Sequence, residues 1–100
     1  MKDFKEIISG SKPTLVDFFA TWCGPCKMQS PVLDQVKQDV GDEANVIKID
    51  VDADPELSAL YRVQSVPTLI IFKNGDPVWR ASGLHHREQL VDKIREFVDK

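Results

Sequence analysis

The sequence predicts a three-layer α/β domain in which helices cover both faces of a mixed sheet of about four main strands. An apolar β-type run at 14–20 is followed by a helical pattern and a second such run at 45–51. Strand, helix and strand in that order imply a right-handed parallel crossover. Two later β-type runs flank Asn74 and Gly75, the residue types of a tight antiparallel hairpin turn. A parallel pair and a hairpin in one chain indicate a mixed sheet with helices on both faces.

The first helix and strand follow from the apolar spacing near the start of the chain. Apolar residues at i, i+3 and i+4 predict a short helix that the 9–13 segment ends: Phe4, Ile7 and Ile8. The 14–20 run is apolar on both parities, as expected for a strand with both faces covered. Asp17 interrupts it.

A second helix is predicted from Pro25 to the stop at Gly41. Its core side carries Val32, Leu33, Val36 and Val40. Pro31 lies within it and is expected to kink the helix, because proline removes a backbone hydrogen bond.

The remaining elements complete the sheet and its cover. Asp54 before Pro55 predicts the start of a third helix that ends near Arg62. Its residues at core spacing are Leu57, Leu60 and Tyr61. Strands at 68–72 and 78–81 form the hairpin. An amphipathic fourth helix is predicted from Leu90, Val91, Ile94, Phe97 and Val98.

The amino-acid composition alone excludes several classes of function. The 100 residues carry 13 Lys and Arg against 16 Asp and Glu, a net charge of −3 with a pI near 5.3. No cationic field exists to bind nucleic acid or an anionic membrane. The longest uncharged run has ten residues, 63–72, whereas a membrane-spanning helix needs roughly 18. We therefore expect one domain over residues 1–100, monomeric and cytoplasmic, unless a leader has already been removed.

The two cysteines are best explained by chemistry. Cys23 and Cys26 enclose too small a loop for a stabilising crosslink. Cys23 stands at a predicted strand-to-helix turn, where unpaired N–H groups and the helix dipole favour a thiolate. Cys26 is three residues on, within disulfide reach on the same helix face, and Pro25 stiffens the geometry.

Several residues allow more than one interpretation from the sequence alone. A Cys-x-x-Cys pair is also half of a zinc site, but His85 and His86 are distant in sequence and no metal site is predicted. Asp17 is either a buried carboxylate with a raised pKa that can carry protons, or a solvent-facing residue of a half-exposed strand. Trp22 is a platform for a partner chain or a core residue, and Lys48 alone indicates only an outward charge.

The segment 18–27, Phe-Phe-Ala-Thr-Trp-Cys-Gly-Pro-Cys-Lys, closely resembles the active-site segment of thioredoxins. The resemblance extends over nearly the whole chain. Its further matching positions are Asp17, Pro31, Lys48, Val66, Pro67, Thr68, Lys73, Asn74, Gly75 and Gly83.

This resemblance implies a thioredoxin-like α/β/α fold and a protein-disulfide reductase active in electron transport and cell redox homeostasis. It implies that Cys23 attacks a target disulfide and that Cys26 displaces the reduced target from the resulting mixed disulfide. The implied partners are disulfide-containing proteins and a thioredoxin reductase-type electron donor. We expect no cofactor.

The resemblance also assigns roles to the neighbours of the cysteines. It implies that Asp17 is buried beside Lys48 and that the two assist proton transfer at the second cysteine. It implies that Pro67 is a cis-proline facing the disulfide and that the backbone of Val66 pairs with an extended substrate. The substrate-binding surface then comprises Trp22, Gly24, Pro25, Val66 and Pro67.

Two departures and two competing functions qualify this assignment. Thioredoxins usually begin with a strand that is missing here, so four strands are predicted instead of five, and Phe19 stands where bacterial members often have tryptophan. An oxidant or isomerase usually has histidine between its cysteines, whereas Gly24 and Pro25 are the reductase pair. The other alternative is a redox-independent binding module that uses an exposed surface of Trp22, Val66 and Pro67.

Overall fold

Four helices and four strands make up the fold of residues 4–98, the part of the chain that the computed structural model describes. The helices are α1 (Phe4–Ser9), α2 (Gly24–Val40), α3 (Pro55–Leu60) and α4 (Arg87–Glu96), and a short 3-10 turn, Gly41–Glu43, follows α2. The strands are β1 (Thr14–Phe19), β2 (Asn45–Asp50), β3 (Thr68–Lys73) and β4 (Asp76–Ser82).

The four strands form one mixed sheet in the order β2-β1-β3-β4. β1 pairs in parallel with β2 and antiparallel with β3, and β3 pairs antiparallel with β4. The predicted crossover and hairpin are both confirmed. Asn74 and Gly75 have φ values of 54° and 85°, the positive region that a tight hairpin turn requires. Within 4–98 no strand precedes α1, so β2 and β4 are the edges; Met1 to Asp3, at the predicted missing strand, lie outside the described residues.

Side chains that alternate along the strands fill two cores, one on each face of the sheet. The core beneath α2 and α4 includes Leu15, Leu33, Val36, Leu69, Ile71, Leu90 and Ile94. The core beneath α1 includes Phe4, Ile8, Val16, Phe18, Ile49, Ile70 and Phe72. Asp17 shares the parity of Leu15, so its side chain enters the α2 face of the sheet.

One detail of the predicted third helix is wrong. Leu60 was expected in the core but is 61% exposed, because it lies at the margin of the apolar stripe of a short helix while Leu57 and Tyr61 are partly buried against the core. The helix ends at Leu60, close to the predicted end near Arg62, whose φ of 54° turns the chain toward the next strand. In the described range, no helix has both the length and the apolar character needed to cross a membrane.

Candidate active site

The cysteine pair lies where the central strand β1 gives way to α2. The turn is closed by the N–H of Cys23, which donates to the carbonyl of Ala20 at 3.2 Å. Cys23 is the N-cap of α2, and the N–H of Cys26 donates to the Sγ of Cys23 at 3.1 Å. A disulfide joins the two residues, whose Cα atoms are 5.3 Å apart. Pro25 lies in the first turn of the helix, where its missing N–H costs no hydrogen bond.

This arrangement favours negative charge on the Cys23 sulfur once the disulfide is reduced. An N-cap side chain that accepts a backbone N–H occupies the positive end of the helix dipole. A thiolate there gains a charge-assisted hydrogen bond that a neutral thiol would not, which lowers the pKa of a cysteine. The chemistry available is therefore reversible thiol–disulfide exchange.

The loop before β3 forms the opposite wall of the site. The Val66–Pro67 peptide bond is cis, and the Val66 carbonyl oxygen is 3.7 Å from the Sγ of Cys23. Val66 is half-buried, but Pro67 is buried, so the expectation of an exposed Pro67 is wrong. The carbonyl of Pro67 accepts the N–H of Gly83 at 2.9 Å, and this contact brings the loop that follows β4 against the proline.

The outer rim of the site is exposed and partly apolar. Trp22 is 69% exposed, which rules out the core alternative. Its indole Nε1 donates to Oδ2 of Asp52 at 2.9 Å, so the ring has a preferred orientation. Gly24 and Pro25 are also exposed beside the disulfide. The rim therefore offers apolar surface and accessible backbone to an incoming chain.

Asp17 is the buried carboxylate of the site. It is 1% exposed, so the solvent-facing alternative is wrong. Its Oδ1 has no hydrogen-bond partner among residues 4–98. Together with Cys26 and Lys48, it lines a pocket of about 260 Å³. Burial raises the pKa of Asp17 to about 6, and the positive charge of Lys48 partly opposes that rise.

Lys48 lies directly across from Asp17 in the register of β1 and β2. Its Nζ donates to Oγ of Ser30 at 2.5 Å and forms an ion pair with Oδ1 of Asp34 at 3.4 Å. The ammonium is thus bound to polar atoms of α2 and acts on Asp17 through the electric field across the pocket.

Sequence reasoning missed two polar residues of α2, Ser30 and Gln29. Ser30 carries no pattern that distinguishes it from a surface serine. Gln29, in contrast, is fully buried on the apolar side of the helix, three residues after Cys26 and four before Leu33. That spacing was a readable signal, because a polar side chain on an apolar stripe needs buried partners.

The two histidines are distant from the cysteines in sequence and have structural roles. Atoms of the His85 backbone bond to Gln29, and His86 is the N-cap of α4. Within the described part of the chain, no three His, Cys, Asp or Glu residues are grouped as metal ligands. The fold and the N-capping disulfide together define a protein-disulfide oxidoreductase.

Comparison with known proteins identifies the family. The Thioredoxin family profile matches residues 1–96. A thioredoxin of Alicyclobacillus acidocaldarius is 46% identical over 96 residues, which cover 96% of this chain and 91% of that one. A bifunctional thioredoxin reductase/thioredoxin of Mycobacterium leprae is 42% identical over 95 residues, which cover 95% of this chain and 21% of that protein.

A solved structure shows the same fold. A mutant thioredoxin from Halobacterium salinarum superposes with a TM-score of 0.90 at 35% identity, covering 100% of this chain and 87% of that one. The chain belongs to the thioredoxin family. The predicted resemblance, fold class and thiol–disulfide oxidoreductase activity are thereby confirmed.

The raised pKa of Asp17 predicts a specific pH dependence of stability. Because the folded pKa, about 6, exceeds the ordinary value of 3.8, the folded protein holds a proton that the unfolded chain releases between these values. The Asp17 contribution to the free energy of unfolding therefore falls as pH rises from about 4 to 6, by about 3 kcal/mol, and stays low above that. Asp17→Asn should remove this fall and stabilise the oxidised protein at pH 8.

Urea denaturation at pH 4, 6 and 8 measures the effect as the difference between wild type and variant. Asp34→Asn, which alters an exposed carboxylate near the same lysine, is the matched control and should retain the wild-type fall. Parallel curves for wild type and Asp17→Asn would show that the carboxyl is not held protonated by burial.

Proposed function

We propose that the protein is a cytoplasmic protein-disulfide reductase that acts as a monomeric single domain over residues 1–100. It would pass electrons from a thioredoxin reductase-type donor to disulfide-containing proteins. The observation that carries this proposal is the capping of α2 by Cys23, whose sulfur accepts the N–H of Cys26 beside the carbonyl of Val66. Gly24 and Pro25 between the cysteines favour the reducing direction over the oxidising one.

The reaction begins with the reduced protein. The thiolate of Cys23 attacks one sulfur of the target disulfide, and the other target sulfur leaves as a thiolate. Cys26 then loses its proton and attacks the Sγ of Cys23, which releases the second target sulfur. The target has gained two electrons, and the protein ends as the Cys23–Cys26 disulfide.

Asp17 is the group best situated to accept the proton of Cys26. Both residues line the same pocket, and a carboxyl whose pKa is about 6 is largely ionised at neutral pH yet basic enough to take a proton. Lys48, fixed by Ser30, keeps a positive charge across the pocket and favours the ionised carboxylate. A water molecule in the pocket could bridge the thiol and the carboxylate.

Substrate binding would use the groups around the disulfide. The carbonyl of Val66 is close enough to the Cys23 sulfur to pair with the backbone of an extended target on either side of its cysteine. Trp22 adds exposed apolar surface, and Gly24 and Pro25 are exposed next to Cys23, which is itself only 4% exposed. Main-chain pairing of this kind recognises many sequences, which suits a general reductase.

The recycling partner is inferred from a relative. The name of the Mycobacterium leprae protein joins a thioredoxin reductase and a thioredoxin in one chain. A separate reductase of that type would supply electrons to this protein and place it in an electron-transport chain that maintains cell redox balance.

Cysteine variants test the order of the two steps. With a disulfide-bonded test protein such as insulin, Cys26→Ser should accumulate one covalent mixed disulfide per molecule, because the attacking thiol remains and the resolving thiol is gone. Cys23→Ser should accumulate none and should lose turnover. Non-reducing electrophoresis after alkylation measures both.

The opposite pattern, capture by Cys23→Ser alone, would assign the attack to Cys26. A wild type without turnover, together with a Cys23→Ser, Cys26→Ser double variant that binds partners undiminished, would favour the redox-independent binding module.

Asp17→Asn tests the proton-transfer step. An amide cannot accept the proton of Cys26, so resolution of the mixed disulfide at pH 7 should slow by about tenfold to hundredfold while the initial attack is unaffected. The mixed disulfide should then accumulate transiently, and the defect should shrink as pH rises, because hydroxide can take the thiol proton in place of the carboxylate. Rapid quenching with alkylation follows both steps, with Asp34→Asn as the control. Equal resolution rates in wild type and Asp17→Asn at pH 7 would remove Asp17 from the mechanism.

A further inference from the structure

Gln29 binds a loop to the cysteine helix with both ends of its amide. Its Nε2 donates to the carbonyl of His85 at 3.0 Å, and its Oε1 accepts the N–H of the same residue at 2.8 Å. Gln29 itself is fully buried. The amide therefore satisfies both backbone groups of His85, much as a neighbouring strand would.

The loop held in this way, residues 83–86 between β4 and α4, is also bonded to the wall of the site that faces the disulfide. Its Gly83 donates to the carbonyl of Pro67 at 2.9 Å, and the preceding peptide oxygen, that of Val66, faces the Cys23 sulfur. Leu84, on the same loop, is 43% exposed. Because the Gly83–Pro67 bond continues the pairing of Ser82 with Thr68, Leu84 is the next residue in line, on the side of Val66.

These hydrogen bonds connect the two walls of the site through the 83–86 loop. Cys26 and Gln29 are one turn apart on α2, Gln29 is bonded to the loop, and the loop is bonded to Pro67. The Sγ of Cys23, 3.7 Å from the Val66 carbonyl oxygen, lies between the two walls. Arg87, which follows the loop, pairs with Asp39 at the far end of α2, but the amide of Gln29 bonds to the loop itself, one turn from Cys26.

An apolar side chain could fill the same volume but could not form these bonds. Replacing Gln29 by leucine would leave the N–H and carbonyl of His85 without protein partners, and the loop would relax toward water to satisfy them. The loop has internal support from His85, whose Nδ1 is 2.8 Å from the Gly83 carbonyl oxygen and whose ring packs edge-on against Trp79. The expected change is therefore a displaced loop on an intact fold.

We propose that Gln29 is a positioning residue for protein substrates: it holds the 83–86 loop in register with the cysteine helix, so that Leu84 and the Val66 carbonyl present one surface to an extended chain. This inference rests on the proposed reductase function and deepens it. Gln29 touches neither sulfur, so it governs binding of polypeptide disulfides and leaves the exchange chemistry unchanged.

Gln29→Leu separates the two effects. The KM for reduction of a disulfide-bonded protein should rise at least fivefold with kcat within twofold of wild type. The rate constant for reaction of reduced Cys23 with oxidised glutathione, which is too small to span the loop, should stay within twofold. Val36→Ala, a cavity variant on the same helix in the core beneath α2, is the control for lost stability and should leave KM unchanged.

Gln29→Glu makes the same hydrogen bonds depend on pH. A protonated carboxyl can donate to the His85 carbonyl and accept its N–H, as the amide does, whereas a carboxylate cannot donate. The KM ratio of Gln29→Glu to wild type should therefore approach 1 at pH 5.5 and rise severalfold at pH 8. Because the His85 and His86 rings, Cys26 and Asp17 are titratable groups on the adjoining segments, each value is compared with wild type at the same pH.

The outcomes distinguish the inference from the function beneath it. A wild type that does not reduce the protein substrate contradicts the proposed function. An active wild type with an unchanged KM in Gln29→Leu, or equal losses with the protein and with oxidised glutathione, overturns the role of Gln29 alone. A flat KM ratio for Gln29→Glu between the two pH values overturns it as well.

Discussion

The pairing of β1 on both of its edges is the constraint on which the site depends. β2 and β3 hold the strand in the centre of the sheet, and both of its faces are covered. The carboxyl end of β1 is therefore held in a fixed position, and α2 begins after a four-residue turn. The first exposed N–H groups of that helix meet a cysteine at the N-cap. A rigid strand thus delivers a reactive sulfur to the positive end of a helix.

The same strand also places a destabilising carboxyl group in the core. Asp17 displaces an apolar side chain from a central position, and its Oδ1 finds no hydrogen-bond partner in residues 4–98. Lys48, in register on the next strand, offsets only part of the desolvation, and its ammonium is bound to Ser30 and Asp34. Asp17 opposes folding at neutral pH, yet it lines the same pocket as Cys26. Active sites commonly carry such unfavourable groups, so its position is explained by function.

The sequence predicted the architecture well because hydrophobic periods and turn residues act locally. The strands, the four helices and the Asn74 turn all follow from spacings of two to four residues. Contacts between distant segments were not predictable in that way. Gln29 meets His85 across 56 positions, and nothing near either residue encodes the pairing. Pro67 is buried for the same reason, because the loop that covers it follows β4.

The central claim is that this cysteine pair works in the reducing direction, and the reduction potential of the pair tests it most directly. The Cys23–Cys26 equilibrium is followed in graded redox buffers by thiol trapping and by the fluorescence of Trp22, the neighbouring indole. A potential at or below that of cytosolic glutathione, about −220 to −320 mV, is the result expected for a reductase. A potential between about −120 and −180 mV would contradict the claim and indicate an oxidant or isomerase.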